Sequence, residues 1–227
     1  MGKFGLRIVI PLMLICGLNV VSAKAKESVP TAAEETKIKK DAERFIQSLG
    51  DEAIKVINAA EVIKSQEQRE LQVRSKFRKL LKGNFALEDI ARYSLGSFYK
   101  ELSAEEKQNF LRCFENMLVK VYSSNFSAYK TAKLLVTGAK IKVTNRGKQQ
   151  ILVYSNIMVP NKAGVNVTWS IFPTEGGDLK VYDVVIDNVS ISGSQRSEFM
   201  SQISKKGLKR FLADFRKKYG QNEEQKQ

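Results

Sequence analysis

Two carboxylates four residues apart, Asp183 and Asp187, sit in the run Lys180-Val-Tyr-Asp-Val-Val-Ile-Asp-Asn-Val-Ser-Ile-Ser192, among residues that otherwise have the make-up of a buried β-strand. Paired carboxylates can share a proton for acid-base work or hold one metal ion between them. Both uses require the groups to be close. In a strand, residues two apart share a face, which puts Asp183 and Asp187 on the side of Val181, Val185, Val189 and Ile191 but ~13 Å from each other. That is too far for a shared proton or a common ion. Asp183 therefore reads as a structural acceptor tying the sheet to a neighbouring backbone or arginine, and Asp187 as a residue near the strand end that solvent satisfies.

The rest of the composition narrows the chemistry further. There is no histidine in 227 residues, and the only cysteines are Cys16 and Cys113. Ser-His-Asp and Cys-His nucleophilic sites cannot be built in cis, and a structural zinc site is equally hard to assemble. A carboxylate-only hydrolase or metal-dependent enzyme on Asp183 and Asp187 is the enzymatic reading left, and the expectation is no enzyme, no metal and no cofactor.

The net charge is +14. Such an excess suits nucleic acid or an anionic membrane surface. The cations are spread along helical segments such as Lys37-Ile-Lys-Lys40, Arg74-Ser-Lys-Phe-Arg-Lys79 and Lys205-Lys-Gly-Leu-Lys-Arg210, with no zinc-finger spacing and no aromatic RNA-binding motif. The first 23 residues carry Lys3 and Arg7, then a short apolar block broken by Pro11, then Val21-Ser-Ala23, the order of a secretory signal peptide. Cleavage after Ala23 or after Ala25 fits equally. Lipid attachment at Cys16 is disfavoured because Ile15 stands where a small residue is needed. Export leaves Cys113 without an intramolecular disulfide partner, so packing must supply stability. An exported basic chain meets membranes rather than nucleic acid, and a basic surface gains ~1 kcal/mol per Lys or Arg near anionic lipid.

The elements follow from periodicity. Residues 24–35 read as a polar leader, and Ile38, Ala42, Phe45, Ile46, Leu49, Ala53, Ile54 and Ile57 give a helical pattern from near Thr36, interrupted at Gly50. A helix over about 65–82 buries Val73, Phe77, Leu80 and Leu81, and a short one begins at Phe85. Ser103 and Glu106 form a capping box for a helix with Phe110, Phe114, Met117, Leu118, Val121 and Tyr122 on one stripe. From about residue 132 the period becomes 2. Ala139, Ile141 and Val143 alternate with Lys140 and Lys142, and Val165, Val167, Trp169 and Ile171 with Asn166, Thr168 and Ser170. Turn clusters at 145–148, 161–164 and 175–178 separate four strands in an antiparallel meander. One last helix, Ser194 to Tyr219, turns Phe199, Ile203, Leu208, Phe211, Leu212 and Phe215 inward. The order is that of an α+β domain over 36–219, with a charged, disordered tail at 220–227.

Several stretches together resemble the MlaC, or toluene-tolerance, family of periplasmic phospholipid-binding proteins: Phe85-Ala-Leu-Glu-Asp-Ile-Ala-Arg-Tyr-Ser-Leu-Gly96, Phe110-Leu-Arg-Cys-Phe-Glu-Asn-Met-Leu-Val-Lys-Val-Tyr122, Val181-Tyr-Asp-Val-Val-Ile-Asp-Asn-Val-Ser190, Arg196-Ser-Glu-Phe199 and Gly207-Leu-Lys-Arg-Phe-Leu212. Leu179, Asn188 and Gln195 depart from the family's usual Trp, Gly and Tyr. The resemblance implies a fold in which a helical N-terminal half packs on a twisted, mostly antiparallel sheet of four strands, closed by a C-terminal helix, with an apolar lipid cavity between sheet and helices. It implies a monomeric periplasmic shuttle that helps maintain outer-membrane lipid asymmetry, with an inner-membrane ABC transporter carrying an MCE-domain protein and an outer-membrane lipoprotein complex as partners, and transient contact with membrane surfaces.

Physics states what such a shuttle needs. Each exposed acyl CH₂ costs ~0.8 kcal/mol in water, so two chains must be hidden almost completely. Ile141, Val143, Val153, Ile157, Val167, Trp169, Val185 and Val189 offer one wall. Leu95, Phe98, Phe114, Leu118 and Tyr122 offer the other. Periodicity alone is equally served by a filled core. Arg92 and Arg196 are the candidates for the lipid phosphate, because guanidinium makes paired hydrogen bonds to phosphate oxygens, with a salt bridge or helix-end contact as the competing role. The alternative function is a non-catalytic envelope adaptor whose basic face binds a membrane or acidic partner. A nucleic-acid binder would need the intact chain in the cytoplasm.

Overall fold

The structure, a computed structural model, describes residues 31–123, 131–145, 147–161 and 163–221. The expected signal peptide, the leader up to residue 30 and the end of the tail from 222 lie outside these residues. Helix α1 spans Ala32–Ala60 and starts earlier than the apolar pattern, because Thr31 and Glu34 build a capping box: Thr31 Oγ1 accepts from the Glu34 amide at 3.3 Å and the Glu34 carboxylate accepts the Thr31 amide at 2.7 Å. Nor does Gly50 interrupt it. A Cβ there would stand 2.9 Å from Leu134 Cδ2, so the glycine serves close approach of the helix to the sheet.

Helix α2 (Gln66–Asn84) is capped by Ser65, and the linker after it runs along a strand edge, where the Ala86 amide donates to Val181 O at 3.0 Å. Helix α3 (Leu87–Leu95) passes into a 3₁₀ turn at Gly96–Glu101. Helix α4 (Ala104–Ser123) opens on the expected capping box, with the Ser103 amide donating to Glu106 Oε2 at 2.8 Å and the Glu106 amide to Ser103 Oγ at 3.2 Å. The single expected C-terminal helix is two, α5 (Ile191–Lys206) and α6 (Leu208–Tyr219). Gly207 at φ +78 breaks the chain between them, a conformation that glycine adopts without a Cβ penalty.

The sheet is an antiparallel meander of β1 (Lys133–Val143), β2 (Gln149–Met158), β3 (Val165–Pro173), β4 (Leu179–Ile186) and β5 (Val189–Ser190), in that order. The fifth strand, unforeseen, is two residues returned by a turn in which Asp187 and Asn188 both have positive φ. Two bulges matter more. Val136 and Gly138 on β1 face neighbouring β2 residues with Thr137 extra, and Val181 and Asp183 on β4 face Ile171 and Ser170 with Tyr182 extra.

The second bulge overturns the same-face reading of the aspartate strand. Val181 lies opposite Ile171 and Val184 opposite Trp169, whereas Asp183 and Val185 lie opposite Ser170 and Thr168. Val181 is thus on one face of the sheet, and Asp183 and Val185 are on the other.

Two apolar cores result. Helices α3 to α6 close over Leu95 and over Phe110, Phe114, Phe199, Phe211 and Phe215, whose rings meet in tilted, edge-on and stacked pairs 5.0–6.3 Å apart. Helix α1 and Leu80 of α2 pack on the inner face of the sheet over Ile151, Val153, Ile171 and Val181. Arg78 of α2 joins the helical part by donating to Glu115 Oε1 at 2.7 Å and Asn116 Oδ1 at 3.0 Å on α4.

Candidate functional site

The inner face of the sheet is mostly apolar. Across it run Leu134, Val136, Ala139 and Ile141 of β1, Ile151, Val153 and Ile157 of β2, Val167, Trp169 and Ile171 of β3, and Val181, Val184 and Ile186 of β4. Ser155 is a polar residue within it, and its hydroxyl has two duties. It accepts the indole N–H of Trp169 at 2.9 Å and donates to Val167 O at 3.3 Å, so the polar atom of the indole is satisfied within the sheet.

Helices do not cover this face evenly. Helix α1 packs along β1 and β2, while α2, α3 and α5 meet β4; among the described residues no helix packs broadly on β3, and α4 packs on α2, α3 and α6 instead of on the sheet. The middle of the inner face, at β3, is therefore the part on which no described helix packs broadly. Val167 is buried there and belongs to neither core.

A family model described as "MlaC protein" matches residues 47–217. The chain belongs to the MlaC family. Among solved structures, the phospholipid-binding protein of Ralstonia solanacearum, determined in complex with a phospholipid, superposes with a TM-score of 0.61 at 17% identity, covering 79% of this chain and 99% of that one. The likeness establishes a shared α+β fold. No curated protein matches the chain.

Within this MlaC fold the expected wall residues separate into groups. Ile141, Val153, Ile157, Val167 and Trp169 lie on the inner face. Val185 does not, because the β4 bulge sends it to the opposite face. Val143 and Val189, exposed by 70% and 55%, are also corrections: one ends the edge strand and the other sits on the two-residue β5. On the helical side Leu95 and Phe114 are fully buried inside the helical core, with Phe98 and Leu118 packed against it. Tyr122 is part-exposed towards the end of α4.

Neither arginine is a free guanidinium in the site. Arg92 pairs with Asp89 one turn earlier on α3. Arg196 of α5 donates through Nη1 to Tyr93 O at 2.6 Å and stacks over the Tyr93 ring, a helix-end contact that ties α5 to α3. Cys113 lies in the helical core, where burial pushes its thiol pKa up and keeps it protonated at neutral pH. It sits under an open cleft of about 170 Å³ between α4 and α6, short of the roughly 300 Å³ where ligand pockets begin.

Sequence reasoning missed Val184, Ile186, Leu134 and Val136 as inner-face residues. A strict two-residue period passed over both bulges. The cue was the adjacent pair Val184-Val185 after Tyr182-Asp183, where apolar and polar residues stop alternating.

Proposed function

We propose that this MlaC-family protein is a periplasmic carrier that holds phospholipid acyl chains against the inner face of the sheet. It shuttles lipid between an outer-membrane lipoprotein complex and an inner-membrane ABC transporter with an MCE-domain protein, and so maintains outer-membrane lipid asymmetry. It binds and transports without bond-breaking chemistry and needs no cofactor. Family membership supports the role, and the phospholipid held by a protein of the same fold supports the ligand.

The observation that carries the reading is the inner face itself. Its middle strand presents Val167 and Trp169 with no described helix packed broadly over them, and Ser155, the buried polar residue beside them, is satisfied by the indole N–H. Acyl chains need an apolar surface free of unpaired polar groups, because each methylene hidden is worth ~0.8 kcal/mol and each orphaned polar group costs ~1–3 kcal/mol. The phosphate, well solvated in water, is left at the margin. A signal peptide at residues 1–23 would deliver the chain to the periplasm.

The test is extraction. Protein purified without detergent from the periplasm should yield close to one phospholipid per chain by mass spectrometry, and repeated native preparations without lipid would refute the carrier.

A further inference from the structure

The outer face of the sheet has a different composition. Lys133, Leu135, Lys140 and Lys142 of β1 stand beside Leu152, Tyr154, Asn156 and Met158 of β2. Leu135 is 58% exposed, Met158 50% and Tyr154 37%, and the three lysines are exposed. Neither these strands nor the outer row of β3, which is Asn166, Thr168, Ser170 and Phe172, places a carboxylate on this side. The carboxylates at β4 and the turn after it are engaged, Asp183 by Ser190 and Ser192 and Asp187 by the Asn166 amide. None of the three lysines has an ion-pair partner among the described residues, and no described helix covers this side of β1 and β2.

We propose that the outer face of β1 and β2 is a docking surface for an anionic bilayer. Charge complementarity selects the occupant: three unpaired ammonium groups with no competing carboxylate face the phosphates of acidic lipids. The large apolar side chains among them, Leu135, Tyr154 and Met158, reach the depth of the headgroups, where an aromatic ring with a polar tip is at home. The proposal rests on the carrier reading, since a shuttle must wait at a membrane surface. It adds where the protein does so. The face and the lipid wall are the two sides of one sheet, with Tyr154 and Leu152 pointing out and Val153 and Ile151 pointing in.

The edge of β1 has a different arrangement from its face. The Gln47 side chain of α1 takes up two of its backbone groups, Nε2 donating to Leu134 O at 3.1 Å and Oε1 accepting the Val136 amide at 3.4 Å, and the bulge at Thr137 follows directly. An added partner strand would have to displace both.

The experiment is flotation of the full mature chain with vesicles of phosphatidylcholine alone or with one third phosphatidylglycerol. Wild type should float only with the anionic vesicles and lose binding at high salt. Replacing Lys133, Lys140 and Lys142 together by glutamine should weaken binding roughly a hundredfold, from about fivefold per lysine. In a Trp169→Phe background, Tyr154→Trp should shift its emission to the blue on anionic vesicles. Equal binding to neutral vesicles, or undiminished binding by the triple variant, overturns the proposal. So does a triple variant that floats normally but no longer binds an acidic protein partner. Lipid extraction from the same triple variant separates the two readings: retained phospholipid with lost flotation upholds both, whereas a wild type without phospholipid that still floats through these lysines removes the carrier alone.

Discussion

The carboxylate of Asp183 accepts the hydroxyl of Ser190 at 2.6 Å, and its second oxygen takes the Ser192 amide at 3.0 Å. The Ser190 hydroxyl in turn accepts the Gly193 amide at 2.9 Å, so a strand residue and a cap residue together satisfy the first turn of α5. The bulge at Tyr182 makes this possible by turning Asp183 away from the inner face. Asp183→Ala should cost ~1–3 kcal/mol in urea unfolding, because it leaves helix-terminal donors without an acceptor. Asp183→Asn, which keeps one oxygen, should cost less. Phospholipid per folded chain should not change in either variant; a loss of lipid without a loss of stability would restore a direct role for the carboxylate.

Gly96 and Arg196 form the second joint between helices. Gly96 has φ +61, and a Cβ on it would fall 2.5 Å from Arg196 Nη1 and 2.9 Å from the guanidinium carbon. Gly96→Ala should therefore destabilise by more than the ~1–3 kcal/mol of backbone strain alone. In an Arg196→Ala background the obstacle is gone, and the penalty of Gly96→Ala should shrink by ~1 kcal/mol or more, a coupling readable in a double-mutant cycle of chemical denaturation.

The sequence made the elements legible and the faces only in part. The capping box at Ser103 and Glu106 was visible because it is local chemistry, and the meander was visible because Lys140 and Lys142 alternate with Ile141. Gly50 and Gly207 show where local reading stops. One glycine lies inside a continuous helix because Leu134 needs the room, and the other breaks a helix that the apolar stripe carries straight through. Only tertiary contact separates the two cases. The same holds for Val185: a strand's period predicts its face until a bulge, and a bulge is fixed by the neighbouring strand's register. Arg92 and Arg196 show the complementary gap, since a guanidinium suited to phosphate is equally suited to a carboxylate or a helix-end carbonyl.

The capping box also gives a pH signature. The Ser103 amide, then its hydroxyl, hold the Glu106 carboxyl below its ordinary value of 4.5. A carboxyl whose pKa is depressed in the folded state adds stability above its unfolded value, and that contribution is lost as pH falls through the lowered folded value. Glu106→Ala should lower the Tm at neutral pH, and the gap to wild type should narrow as the buffer is taken below 4.5. A gap that stays constant across that window would mean that the carboxylate charge plays no part in starting α4.

Trp169 is the chain's one tryptophan, so its fluorescence reports on the inner face alone. With its N–H bound to Ser155 Oγ, the ring is fixed in the sheet, and what changes around it is whatever lies against β3, on which no described helix packs broadly. If acyl chains lie there, stripping lipid with detergent and refolding should admit water and shift the emission to longer wavelength, and adding phospholipid back should reverse the shift. Ser155→Ala should cost ~1–3 kcal/mol of stability by leaving the indole N–H without its acceptor, and it should broaden the emission by freeing the ring. The two effects separate anchoring from occupancy. An emission that responds to Ser155→Ala but not to lipid removal would place the acyl chains away from β3, whatever the lipid content of the protein.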